Sequence, residues 1–301
     1  MKKKAWIKRI ITGVLAATMV FQGVLMPTGV KADAIEAPYL ALGADLNETE
    51  RASVLSLLGI SESDLGNYQV ITVTNADEHE YLDAYLDASV IGTRALSSVV
   101  IEKKEEGNGI QVTTSNITYC TTGMYQNALA TAGIENADVH VAGPFNISGT
   151  AALVGAMEAY SSMTGELLKA ENADAATEEL VTTSDLGESI GSTEQAEELV
   201  GVIKEAIVAD GISDPEEIEA VIDDAAQQLN IQLSPEDKQK ILSLMEKISS
   251  LDLDVDKLKE QAKDLYKKLE SLDLNIDQEQ VKGFFGKLVD WCKNLWNSIF
   301  Q

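Results

Sequence analysis

The chain has 301 residues, 45% of them hydrophobic, with 49 acidic against 23 basic side chains and a formal net charge of −26. That length and apolar content build one or two ordinary domains and exclude a disordered tail protein and a disulfide-dense miniprotein. The acidity excludes nonspecific nucleic-acid binding, which needs a cationic surface to displace counterions from phosphates.

Lys2, Lys3, Lys4, Lys8 and Arg9 precede an apolar run from Ile10 to Met26, and Val30-Lys31-Ala32 follows with small residues at the spacing a signal peptidase reads. The expectation is an export signal over residues 1–32, cleaved after Ala32. Gly13, Gln22, Gly23 and Pro27 interrupt the run, which makes it a poor membrane anchor. The mature chain is then secreted or extracellular, with envelope association open, and carries a charge of −32. Residues 33–200 hold 28 acidic and 5 basic side chains, whereas 201–301 hold 21 and 12, so composition shifts near residue 200. Cys120 and Cys292 are its two cysteines. In an oxidising compartment they can form one long-range disulfide, although each falls on an apolar helix face that suits a buried free thiol.

Residues 47–58 read as a helix stopped by Gly59, and Tyr68 to Thr74 alternates as a strand. Asn75-Ala76-Asp77 opens a helix to about Ser89. Val99–Glu102 and Ile110–Thr114 are strand-like, and Glu106-Gly107-Asn108-Gly109 between them signals a hairpin. A helix over Asn116–Ala132, a strand over Val139–Ala142 and a helix from Ser148 to about Leu168 follow. The order predicts an α+β domain over 33–169 with a ferredoxin-like βαββαβ sheet and flanking helices, some other mixed sheet being the alternative. Asn116-Ile117-Thr118 and Asn146-Ile147-Ser148 echo each other, each after a strand and before a helix.

Residues 170–191, rich in Ala, Glu, Thr and Ser, read as a linker. An all-α helical domain is expected over 192–301, with helix starts at Ser192, Asp214-Pro215, Ser234-Pro235 and Asp277. The segments beginning Leu251 and Leu272 repeat at a spacing of 21 residues.

Catalytic resources are sparse. His79 and His140 are the only histidines, and His79-Glu80-Tyr81-Leu82-Asp83 has Asp where a zincin helix needs its second His. Gly187-Glu188-Ser189-Ile190-Gly191 matches a nucleophile elbow, yet both histidines precede Ser189, against the chain order of that fold. Asp252, Asp254 and Asp256, and again Asp273, Asn275 and Asp277, occupy the first liganding positions of an EF-hand loop whose later positions fail, so helix capping is preferred to Ca²⁺ binding. No metal site and no cofactor are expected. Gly92-Thr93-Arg94-Ala95-Leu96-Ser97-Ser98 places a rare basic residue beside hydroxyls; Arg94, Thr93 and Ser97 are a candidate ligand site, with pairing of Arg94 to a neighbouring carboxylate as the alternative.

The last helix is the strongest pattern. Phe284, Phe285, Leu288, Trp291, Leu295, Trp296 and Phe300 share one half of the helical wheel, with Lys282, Lys287 and Lys293 on the other. That face closes the core of the helical domain, or contacts a partner or a membrane surface.

Leu40-Ala41-Leu42-Gly43-Ala44-Asp45-Leu46, the Gly92–Ser98 segment and Ser115-Asn116-Ile117-Thr118, together with the export signal, resemble the YpuA-like family. These are exported proteins of Gram-positive bacteria whose common domain has no assigned function. The resemblance spans roughly residues 36 to 250; it implies secretion and carries over no catalytic residue. The functional expectation is an exported, non-enzymatic, envelope-associated binding or interaction protein of unknown ligand. The alternatives are a wall-acting hydrolase using a carboxylate pair and a weak divalent-cation binder.

Overall fold

A computed structural model describes residues 37–164, 168–254 and 258. The export signal over 1–32, Cys292 and the apolar face read over 277–301 lie outside the described residues.

A strand that the pattern reading missed organises the sheet. Tyr39–Gly43 (β1) alternates its side chains between two apolar layers: Leu40 and Leu42 pack with Val54 and Leu55, and Ala41 faces the opposite core. The helix Glu48–Leu57 (α1) starts at a capping box between Asn47 and Glu50 and leads through a 3-10 turn, Glu62–Asn67, to the strand Gln69–Val73 (β2). Two helices follow, Asn75–Leu82 (α2), capped by Thr74 with Asp77, and Ala88–Ile91 (α3). Ser98–Lys103 (β3), Ile110–Ile117 (β4), Thr122–Thr131 (α4), Ala137–Ile147 (β5) and Thr150–Thr164 (α5) complete this part.

The sheet order is β2-β1-β3-β5-β4, with β1 parallel to β2, β4 parallel to β5, and β3 antiparallel to both of its neighbours. Four strands therefore run one way and the central β3 runs the other. The chain is a mixed α/β fold, and the ferredoxin-like order is incorrect. The hairpin expected at Glu106–Gly109 does not form, because β5 inserts between β3 and β4. Hydrogen bonds explain the choice. Asn108 Nδ2 donates to Asp138 at 3.1 Å, Gly109 N donates to Asn136 Oδ1 at 3.0 Å, and Ala137 N donates to Gly109 O at 3.0 Å. The turn is thus bonded to the approach of β5 and not to β3.

One face of the sheet carries the main core. Gly155 of α5 lies where a Cβ would meet Ala41, Val73 and Val99, so its lack of a side chain sets how closely α5 approaches β1, β2 and β3. α4 covers β4 on this face, through Met124, Tyr125, Ala128 and Leu129. The opposite face is covered by α1 over Leu40, Leu42, Val100 and Ala142, while Gln111, Thr113 and His140 remain exposed on it.

The segment read as a linker is the helix Ala170–Ile190 (α6). Its small residues are what bury it: Ala173, Ala175, Ala176, Thr177 and Thr183 allow close approach to α4 and to Thr193–Asp210 (α7). Thr177 and Thr183 return their hydroxyls to the carbonyls of Ala173 and Glu179, at 2.9 and 2.7 Å, which removes the cost of burying them. α6 contributes Leu180 and Val181 to the core beneath the sheet and Ala175 and Leu186 to a second core. Pro215–Gln228 (α8) and Pro235–Ser249 (α9) close that second core with α7, around Ile203, Ile222, Ile241 and Leu244. Ser192, Asp214 and Ser234 each accept backbone N–H groups as N-caps, where their patterns place them.

Candidate functional site

Because β1, β2, β4 and β5 are parallel, their carboxyl ends emerge at one edge, where the amino end of β3 also begins. In open α/β sheets that edge is where backbone ends and helix starts leave a crevice. Here it holds a cavity of about 430 Å³. Its walls come from Glu78 of α2, the Gly92–Ser97 connection, Thr118 and Tyr119 after β4, Phe145 to Ser148 at the end of β5, and Thr150 of α5.

The two echoing segments meet at this edge. Ile117 and Ile147 are register partners, and Thr118 N donates to Ile147 O at 2.8 Å. Asn116 takes a positive φ of 60° and bonds Gly143 O through its side chain at 3.1 Å, so β4 ends with a bend instead of opening a helix at once. The expected helix start at Asn116 moves to Thr122 for this reason. Thr118 and Ser148, the third members of the two triplets, end side by side in the cavity wall.

Glu78 is 1% exposed. Its carboxylate accepts from Thr150 Oγ1 at 2.7 Å and from Asn75 Nδ2 at 3.2 Å. Burial raises its pKa above the ordinary carboxylate value. Ser148 Oγ lies 3.1 Å from Thr150 Oγ1, Thr118 Oγ1 donates to Ile147 O at 3.0 Å, and Ser97 Oγ accepts from Ala152 N at 2.9 Å in the first turn of α5. Phe145, 49% exposed and one of the few large apolar side chains in the open among the described residues, lines the same cavity.

The structure brings Thr93, Arg94 and Ser97 together in this wall. Arg94 is already engaged: its guanidinium bonds both oxygens of Glu50, at 2.6 and 3.2 Å, and Asp45 O at 2.7 Å. The Arg94 hydrogen bond, with the Asn47 backbone amide, holds the Glu50 carboxyl below its usual range. Asp45 in turn accepts Ala95 N at 2.8 Å, which clamps the Arg94 loop to the end of β1. Of the two readings of Arg94, the paired one describes this geometry. Glu78, Thr118, Phe145, Ser148 and Thr150 were not singled out as site residues in the sequence; the triplet echo was the only signal pointing to two of them.

The remaining motifs resolve into local structure. Ser189 donates to Asp237 at 2.8 Å, and Asp237 is the N3 partner of the Ser234 cap. His79 bonds Asp83 one helical turn away at 2.6 Å, and His140 bonds Thr113 across the exposed sheet face at 2.7 Å. Cys120 is a buried free thiol. Among the described residues no three of His, Cys, Asp and Glu converge to hold a metal ion. Asp252 and Asp254 border a separate cavity of about 310 Å³ beside Gly133 and Ile134, and the rest of the EF-hand-like positions lie outside the described residues. No helix among the described residues is long and apolar enough to cross a membrane.

Residues 42–265 match the family model of DUF1002, a protein family of unknown function. The chain belongs to the DUF1002 family. It is also similar to the uncharacterized protein YpuA of Bacillus subtilis (strain 168), with 38% identity over 302 residues, covering 99% of this chain and 98% of that protein. No solved structure matches. The matched DUF1002 region takes in the carboxyl end of β1, the whole edge cavity and helices α6 to α9.

Proposed function

We propose that this DUF1002 protein is an exported, non-enzymatic binding protein of the cell envelope, and that the cavity at the carboxyl edge of its sheet is the ligand seat. The observation that carries the binding reading is the cavity itself: a preformed recess of about 430 Å³ with a buried carboxylate, several hydroxyls and an exposed aromatic ring. That volume and mixed lining suit a small ligand held by a few oriented polar groups. Export rests on the basic and apolar N-terminal pattern ending at Ala32. The non-enzymatic part rests on how the reactive side chains are used: Ser189 in a helix cap, His79 and His140 in separate local bonds, and Arg94 in a fork with Glu50. In this reading the aromatic face written over residues 284–300 is a second contact, with a partner or a membrane surface, or a helix that closes the core.

The test is fractionation of the full chain expressed in a Gram-positive host, followed by cosedimentation with purified cell walls and with anionic liposomes. Release into the medium or retention in the wall, with pelleting on walls reduced by Phe145→Ala and Thr118→Trp, is the expected result. Intracellular retention, or wall pelleting indifferent to both substitutions, contradicts it. Release of soluble wall fragments that Glu78→Gln abolishes would establish the hydrolase instead. A form lacking residues 277–301 that still folds but no longer pellets with liposomes identifies that segment as the membrane contact.

A further inference from the structure

We propose that the edge cavity takes a primary ammonium group, with Glu78 as its counter-charge. This rests on reading the cavity as a binding seat, and it follows from the hydrogen bonds of Thr150, Ser148 and Thr118 together with the charges of the wall. Thr150 spends its single hydroxyl proton on Glu78. Its contact with Ser148 therefore uses the Ser148 proton, so Ser148 offers only lone pairs to anything else. Thr118 spends its proton on Ile147 O and is left in the same condition. Thr150, Ser148 and Thr118 thus present acceptors to the cavity, while Ser97, whose Oγ accepts from Ala152 N, keeps a proton and offers a donor on the same wall.

Charge points the same way. Among the described residues no lysine or arginine pairs with Glu78, which accepts hydrogen bonds from the Thr150 hydroxyl and the Asn75 amide. The one cationic side chain of the wall, Arg94, is neutralised by Glu50. An anionic ligand would face a buried carboxylate inside a protein of formal charge −26 and would be repelled at long and short range. An ammonium brings three donors, no acceptor and the missing positive charge. Phe145, on the same wall, adds an aromatic surface that favours a cation over a neutral isostere.

The experiment uses the full chain, isotopically labelled, titrated with ethanolamine, with N-acetylethanolamine, with ethylene glycol and with inorganic phosphate. Chemical-shift changes are followed at Thr118, Ser148 and Thr150. Ethanolamine is expected to shift all three, with Glu78→Gln weakening it by about tenfold or more, which corresponds to one strong charge-assisted bond. Phe145→Ala, at an exposed position that does not touch the fold of the core, is expected to weaken it by a few-fold and serves if Glu78→Gln fails to fold. Equal response to N-acetylethanolamine or ethylene glycol overturns the ammonium assignment and leaves the binding seat standing. A response to phosphate alone reverses the charge argument. If no probe shifts these amides, the ammonium assignment falls, and the seat itself stands or falls with the wall pelleting of the Phe145→Ala and Thr118→Trp variants.

Discussion

Glu179 of α6 and Lys204 of α7 form an ion pair of 2.8 Å in which neither side chain is more than 3% exposed. Lys204 also donates to Asn127 O at 3.0 Å and to Thr131 Oγ1 at 3.1 Å, and Thr131 donates to Glu179, so α4, α6 and α7 are tied at one point. Removing one partner leaves the other charge buried without compensation. Lys204→Ala and Glu179→Ala are each expected to cost about 3–5 kcal/mol, whereas the double change Lys204→Met with Glu179→Leu recovers most of that. Urea unfolding midpoints of the three variants check this; a double variant as unstable as the singles would show that the pair is a net stabiliser.

Glu198 on α7 sets a pH dependence. It is buried, its Oε2 lacks a hydrogen-bond partner among the described residues, and burial lifts its carboxyl from the ordinary 4.5 to about 7. The unfolded chain releases this proton near the lower value and the folded chain near the upper. Between them the folded state binds more protons, so the contribution of this group to stability is full below the unfolded value and is lost as pH rises through about 7. Glu198→Gln is expected to gain at most about 3 kcal/mol over the parent at mildly alkaline pH and almost nothing in acid. Thermal melts of both proteins across that range measure the difference, which would be flat if the carboxylate is not held in the apolar layer.

Gly155 measures how closely α5 packs on the sheet. A Cβ there would lie 2.7 Å from the Ala41 Cβ and 3.1 Å from Val73. Alanine is the better helix former by about 1 kcal/mol, and a gain of that size would follow if packing were indifferent. Overpacking against β1 and β2 is expected to win, leaving Gly155→Ala less stable by about 1–3 kcal/mol in denaturant titration.

Ser189 separates a structural from a chemical role. Its hydroxyl serves Asp237 at the start of α9. Ser189→Ala is expected to lower stability by about 1 kcal/mol through that lost bond and to leave wall and amine binding unchanged. An active-site serine probe such as a fluorophosphonate should fail to label the parent at this position; labelling would restore the nucleophile-elbow reading.

Several features were legible in the sequence because their causes are local. The N-caps at Ser192, Asp214 and Ser234 depend on residues within one turn, and so the pattern and the structure agree on them. The positions of β2, β3, β4 and β5 follow from alternation, and the Gly92–Ser98 and Ser115–Thr118 segments that carried the resemblance lie inside the matched DUF1002 region. Arg94 stood out because cations are scarce in that half of the chain, and it does line the cavity.

Other features were decided only by contacts between distant residues. α6 looks like a linker as a string of Ala, Thr and Glu; small side chains are apolar enough only when two other helices approach closely, which the string itself does not encode. The position of β5 between β3 and β4 depends on Asn108 and Asn136 reaching across to one another's segments, against a turn motif that by itself favours a hairpin. Glu78 reads as an ordinary first-turn acidic residue, which favours any helix start. Its burial against Thr150, across 72 positions of chain, is what sets its carboxyl in the cavity wall. Local hydrogen bonds and side-chain periodicity are properties of neighbouring residues and survive in the sequence; strand order and the desolvation of a single carboxylate belong to the assembled fold.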